Sequence, residues 1–147
     1  MINPIKYILK IHDSLWADAF YSEREISGRK SNWKLNAFFK VSLAHLFNFV
    51  TLFGILYFLG FRMTDYFVNY IYSIIPSKVL SKLVIGFSFF ILPAYAFSYF
   101  TVFYKKRYKY ILDNYKYRKG KLLTIYIIST ILFFWGFIIL RHFLTKE

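Results

Sequence analysis

The sequence predicts an all-α integral membrane protein with three transmembrane helices, and three observations carry that prediction. Residues 41–61, 83–104 and 122–140 are apolar runs without Asp, Glu, Lys or Arg. At about 1.5 Å per helical residue, each run covers roughly 30 Å, the thickness of a bilayer's hydrocarbon core. The third observation is the distribution of the 20 Lys and Arg residues, which greatly outnumber the 7 Asp and Glu residues. Seven precede the first run, three lie between the first and second, eight fall within 105–121 and two follow the third run. With three spans the first and third of these segments share a side, so basic residues divide fifteen against five. Lys- and Arg-rich connections stay in the cytoplasm, which predicts a cytoplasmic N-terminus and an exoplasmic C-terminus.

Taken in order, residues 1–22 read as an amphipathic interfacial helix. At 100° per residue, Ile5, Ile8, Leu9, His12, Leu15, Trp16, Ala19 and Phe20 share one face, while Lys6, Lys10, Asp13, Ser14, Asp18 and Tyr21 share the other. Pro4 suits the first turn. Polar residues interrupt the apolar ones throughout and no small-residue cleavage site follows, so a signal peptide is not expected. Such a helix is expected in the headgroup plane, with Lys6 and Lys10 drawn to anionic lipid and Trp16 anchored at the acyl boundary. Docking on a protein partner is the alternative. Residues 23–34 are polar, contain Gly28 and read as a cytoplasmic surface connection.

Residues 35–61 form the first span. Trp33 and Lys40 anchor its beginning, Lys40 by snorkelling to the interface. The exoplasmic connection 62–81 contains a short apolar stretch, 66–75, which is too brief to cross a bilayer and reads as a surface helix interrupted by Asn69 and Ser73. In the second span, 82–104, Pro93 predicts a kink, because it removes a backbone donor and clashes with the carbonyl of Phe89. Ala94 and Ser98 form a pair of small residues that permits close helix approach. Phe97, Thr101, Tyr104, Tyr108, Ile111 and Tyr115 continue a helical spacing beyond the apolar run. They predict that this helix extends to about Lys119 as a cytoplasmic projection stopped by Gly120, with Asp113 pairing with Lys109 and Lys116. The basic connection 105–121, the third span 122–140 and an exoplasmic tail 141–147 complete the chain.

Composition limits the function classes. The chain of 147 residues leaves no room for a separate soluble domain of ordinary size. It is one membrane unit, expected to self-associate or to dock on a larger membrane protein. No Cys is present, which excludes disulfide and thiolate chemistry. Lys outnumbers Arg 14 to 6, and Phe, Tyr, Ile and Asn are abundant. These residues have AT-rich codons, pointing to a low-GC bacterial genome and its inner membrane rather than to an aromatic recognition surface.

Ser42, His45 and Asn48 place polar groups at three-residue spacing within the first span. A neutral His hydrogen-bonded across a helix interface is the reading adopted, with a proton or solute contact as its rival. His12, His45 and His142 are expected at three different depths, and no carboxylate lies within a span, so no metal site is expected. The seven acidic residues are scattered and join no recognisable catalytic arrangement, and phosphate-binding Gly loops are absent; neither catalysis nor a cofactor is expected. Lys105, Lys106, Arg107 and Lys109, interleaved with Tyr108, Ile111 and Tyr115, predict a surface for anionic lipids or a protein partner. Nucleic acid ranks behind both. The functional expectation is therefore a small non-enzymatic accessory or interaction subunit, a class that includes immunity-type proteins. An oligomeric pore-former is the second expectation and a small transporter component the third.

Overall fold

The computed structural model describes residues 4–28 and 32–144, in which helices are joined by short turns and no strand occurs among the described residues. The first three residues of the predicted amphipathic segment, residues 29–31 of the connection after it and residues 145–147 of the tail lie outside the described residues. Three helical stretches are long and apolar enough to cross a membrane: Trp33–Phe58, Lys78–Asn114 and Lys121–Leu144. The first is α2 and the last is α7, and the middle one is a composite of α4 (Lys78–Gly86), α5 (Leu92–Ser98) and α6 (Arg107–Asn114). Preceding them is α1 (Pro4–Ser27), and α3 (Met63–Ile74) lies between α2 and α4.

Central in the bundle, α2 packs against α7, α5 and α1. Gly54 lets α7 come close, since a Cβ there would sit 2.5 Å from Cε1 of Phe137. The core lies at one end, where α1 folds across α2, α6 and α7. Trp16, Ala17, Ala19 and Phe20 of α1 have no exposed surface. Trp16 meets Phe20 at 5.5 Å between ring centroids, and Phe103 stands edge-on to both rings and to Phe38. Removing these rings from water stabilises the packed helix by about 1.5–3 kcal/mol each.

Three expectations require correction. First, α1 continues to Ser27, so residues 23–27 of the expected connection are helical. Second, Trp16 is a core residue and not an anchor at the acyl boundary, because α1 rests on the bundle with its second half enclosed. The beginning of α1 keeps its apolar residues outside, with Ile5, Ile8 and Leu9 exposed, as is Ile26 in its last turn. Third, the second span does not continue as a straight helix to Lys119. Its backbone breaks at Tyr104–Lys106, where Lys105 and Lys106 take φ of 53° and 59°, and α6 beyond the break ends at Asn114. Left-handed non-Gly residues cost about 1–2 kcal/mol each, so the break needs support from neighbouring groups. Arg107 provides it, donating through Nη1 to the carbonyl of Thr101 at 3.1 Å and through Nη2 to Asp13 of α1.

The apolar stripe of α6 consequently turns inward. Ile111 is fully buried, and Tyr108 and Tyr115 are half-buried against the same core. Gly120, expected to stop the second helix, instead sits immediately before α7 with φ +72°, buried beneath Ser22. Asp113 is exposed and makes no ion pair with Lys109 or Lys116 among the described residues. Pro93 falls at the start of α5, directly after a π-helical turn, Phe87–Ile91, in which the Leu92 N–H reaches back to the Phe87 carbonyl. The wider turn shifts the hydrogen-bond register where the ring would otherwise strike the preceding turn.

Candidate functional site

The feature that organises the molecule is a polar seam where α1 meets the three long apolar helical stretches. Asp13, almost wholly buried, receives Arg107 Nη2 on both carboxylate oxygens at 2.9 Å. Oδ1 of Asp13 also lies 3.3 Å from Nδ1 of His12. Trp16 donates through Nε1 to Nε2 of the same imidazole at 3.2 Å. With Nε2 accepting, the proton of the neutral ring belongs on Nδ1, facing Asp13. Burial pushes the pKa of His12 below its usual 6.5, chiefly by desolvation, and Asp13 opposes the shift only in part.

His12 also corrects the expected separation of the histidines. Its ring stacks on that of His45 with centroids 6.3 Å apart and planes within 5°, and Phe97 stands edge-on to both. The stack forms because α1 crosses α2 at His45, which sequence spacing could not disclose. Nδ1 of His45 faces Oγ of Ser98 at 2.9 Å, while that hydroxyl donates to the carbonyl of Ala94 at 3.0 Å. The imidazole is therefore the donor. This is not the polarity of a nucleophile awaiting a base, since the serine proton is already engaged and the side chain has no exposed surface. Asn48, one turn further along α2, donates to Tyr126 Oη of α7 at 2.7 Å. The strip thus divides between two neighbours, His45 to α5 and Asn48 to α7. Ser42 is fully buried and its Oγ has no hydrogen-bond partner among the described residues.

The most heavily used side chain is Asp18, which sequence reasoning placed on a solvated face. It is fully buried and accepts four backbone N–H groups from the start of α7 and the turn before it. Oδ1 takes those of Arg118 and Gly120 at 2.8 and 3.0 Å, and Oδ2 those of Leu122 and Leu123 at 2.8 and 3.2 Å. A carboxylate at this point satisfies donors that a helix start leaves unpaired and complements the positive end of its dipole. Further along α1, Tyr21 donates to the Leu112 carbonyl at 2.8 Å, Glu23 pairs with Lys40, and Glu25 accepts from the hydroxyl of Tyr117. That hydrogen bond is the largest cause raising the Tyr117 pKa.

The remaining predicted residues are dispersed. Lys40 reaches Glu23 of α1 rather than serving only as a snorkelling anchor. Trp33 is half-buried, edge-on to Phe20, with the Lys34 ammonium 5.2 Å from its ring. Ala94 and Ser98 are buried together and Pro93 is partly exposed. Lys105, Lys106 and Lys109 are exposed, whereas Arg107 is withdrawn into the seam. The missed acids, Asp13, Asp18 and Glu23, are spaced by five residues, so successive side chains point about 140° apart around the helix. No single face collects them, because α1 is gripped by α6, α7 and α2 from different sides.

Among the described residues no three His, Asp or Glu side chains converge as metal ligands. The chemistry the seam offers is hydrogen bonding, charge neutralisation and one buried imidazole pair. No family model, curated protein or solved structure matches the chain.

Proposed function

We propose that the chain is a non-enzymatic multi-pass membrane protein that acts as an accessory or interaction subunit, with the α1 end at the cytoplasmic face of a bacterial inner membrane and the C-terminus outside. The observation that supports this reading is the sorting of charge at the α1 end. Asp13, Asp18 and Glu23 are turned inward and buried, while Lys105, Lys106, Lys109, Lys116, Arg118 and Lys119 stay exposed. The outer face is left strongly basic, suited to anionic headgroups and to an acidic surface on a larger membrane partner, as an accessory subunit of the immunity type would need. Ile5, Ile8 and Leu9 extend that face with apolar side chains able to enter the interface. The oligomeric pore has less to recommend it, because His45 and Asn48 spend their polarity on Ser98 and Tyr126 of the same chain. Transport lacks a supporting carboxylate within the spans.

Photo-cross-linking from position 109 in native membranes tests the reading, paired with dye release from vesicles carrying the purified protein. A saturable cross-link that disappears in Lys105→Gln/Lys106→Gln/Lys116→Gln, without dye release, is expected. Dye release, or a cross-link indifferent to the three substitutions, overturns it. Orientation is tested separately by reporter fusions: a reporter active only outside the cytoplasm should work after residue 144 and fail after residue 120.

A further inference from the structure

At the end of the bundle opposite α1, a cleft of about 760 Å³ opens between α2, α3, the α4–π turn and α7. Its size falls within the roughly 300–1,000 Å³ of small-molecule sites. The walls are aromatic: Phe53 stands edge-on to Phe89 and Phe90 at 6.0 and 5.8 Å, with Phe134 and Phe137 across from them. Two cations, Arg62 and Arg141, complete the lining. Both are exposed and both lie where an apolar helix gives way to polar chain, Arg62 just before α3 and Arg141 in the last turn of α7. A ligand fitting this lining needs an apolar body to lie among the rings and an anionic group to meet the guanidinium groups.

We infer that this cleft is a binding site for an anionic phospholipid of the surrounding bilayer, its acyl chain between α2 and α7 and its phosphate held by Arg62 and Arg141. Guanidinium suits this role, since its planar fork pairs with two phosphate oxygens at once. The bilayer is the source favoured by position, because the walls include faces of apolar helices long enough to span it. Net charge selects the anionic class over a zwitterionic one. The described residues of this end carry Lys78 and Lys82 besides the two arginines, against Asp65 alone, and that excess of positive charge repels a choline cation.

The full chain, equilibrated with vesicles of equal phosphatidylglycerol and phosphatidylcholine and released in mild detergent, is examined by native mass spectrometry. Retention of one phosphatidylglycerol over phosphatidylcholine by about thirtyfold is expected, from about fivefold per basic residue. Arg62→Gln/Arg141→Gln should bring the ratio near parity, and Arg62→Lys/Arg141→Lys should keep most of it. Val68→Trp, which fills the cleft without changing charge, should release the lipid. Lys105→Gln/Lys106→Gln/Lys109→Gln at the opposite end should leave the preference intact. A parent without preference, a preference that survives the Gln pair or Val68→Trp, or one that vanishes with the three lysines, overturns the inference. Should the Gln pair fail to accumulate, the Lys pair and Val68→Trp decide it.

Discussion

At the α1 end, carboxylates meet partners on three other elements; at the α3 end, rings meet rings. Asp13, Asp18 and Glu23 fix α1 against α6, the start of α7 and α2. Around the cleft the contacts are Phe53 with Phe89 and Phe90, Phe67 with Phe89 at 4.8 Å, and Phe137 against Gly54. The two chemistries specify structure differently. For helices apolar enough to cross a membrane, rings packed between them would gain little from leaving lipid, which is as apolar as they are, so that end relies on shape and packing. The α1 end includes surface that water would otherwise wet, so burying Trp16 and Phe20 drives association, while the directed hydrogen bonds choose one register. A carboxylate with four specific donors has one good position; a Phe ring has several.

The largest test of that contrast removes the carboxylate at position 18. Asp18→Ala leaves four backbone donors at the start of α7 without their acceptor and is expected to cost about 3–5 kcal/mol, the loss typical of breaking a buried charged interaction. Hydrogen exchange should rise at the amides of residues 118, 120, 122 and 123 and much less along α5. At the other end, Asp65→Ala removes a partly buried acid in the first turn of α3 and should cost no more than about 1 kcal/mol. Equal effects at the two ends would dissolve the distinction.

A smaller effect is expected from pH. His12 has a depressed pKa in the folded chain, so below its unfolded value of 6.5 the unfolded chain binds more protons than the folded one. Stability is therefore complete above that value and is lost as pH falls toward the folded pKa. The charge would arise against His45 and Arg107, with Asp13 the one acid in contact among the described residues and already committed to Arg107. Moving from about pH 7.5 to about pH 5.5 should speed exchange along α1 before α3 responds, and His12→Gln should flatten that dependence. Loosening that starts at α3, or that persists in His12→Gln, would place the sensitive group elsewhere.

How far this organisation was legible in the sequence follows from the same contrast. Apolar length and the absence of charge are local properties, and they mark all three long helices, since nothing but a helix satisfies its own backbone in an apolar run of that length. The seam depends on what α1 touches. Trp16 and Phe20 gave the right apolar face but the wrong neighbour, because a headgroup plane and a bundle end both accept an amphipathic helix. Asp13 and Asp18 looked solvated because burial of a carboxylate depends on donors 94 to 105 residues away. The break at Lys105 and Lys106 left the apolar spacing of α6 undisturbed, so periodicity passed through a turn it could not register. No sequence signal pointed to the stacked His12 and His45, which belong to different helices.

Ser42 offers the finest test, inside the α1 end but outside its network of polar contacts. It lies on α2, three residues before His45, fully buried and with a hydroxyl that finds no acceptor among the described residues. If directed polar contacts are what fix the α1 end, a polar atom outside that network contributes nothing to it and carries only the cost of its burial. Ser42→Ala should therefore leave stability unchanged or raise it by up to about 1 kcal/mol. His45→Ala removes a ring that both stacks on His12 and donates to Ser98, and should be destabilising under the same conditions. Thermal unfolding of the two variants in one detergent compares them directly. A Ser42→Ala protein weakened as much as His45→Ala would mean that the hydroxyl has a partner in the membrane-embedded state, and that the polar seam on α2 takes in position 42 between the pairs of Lys40 and His45.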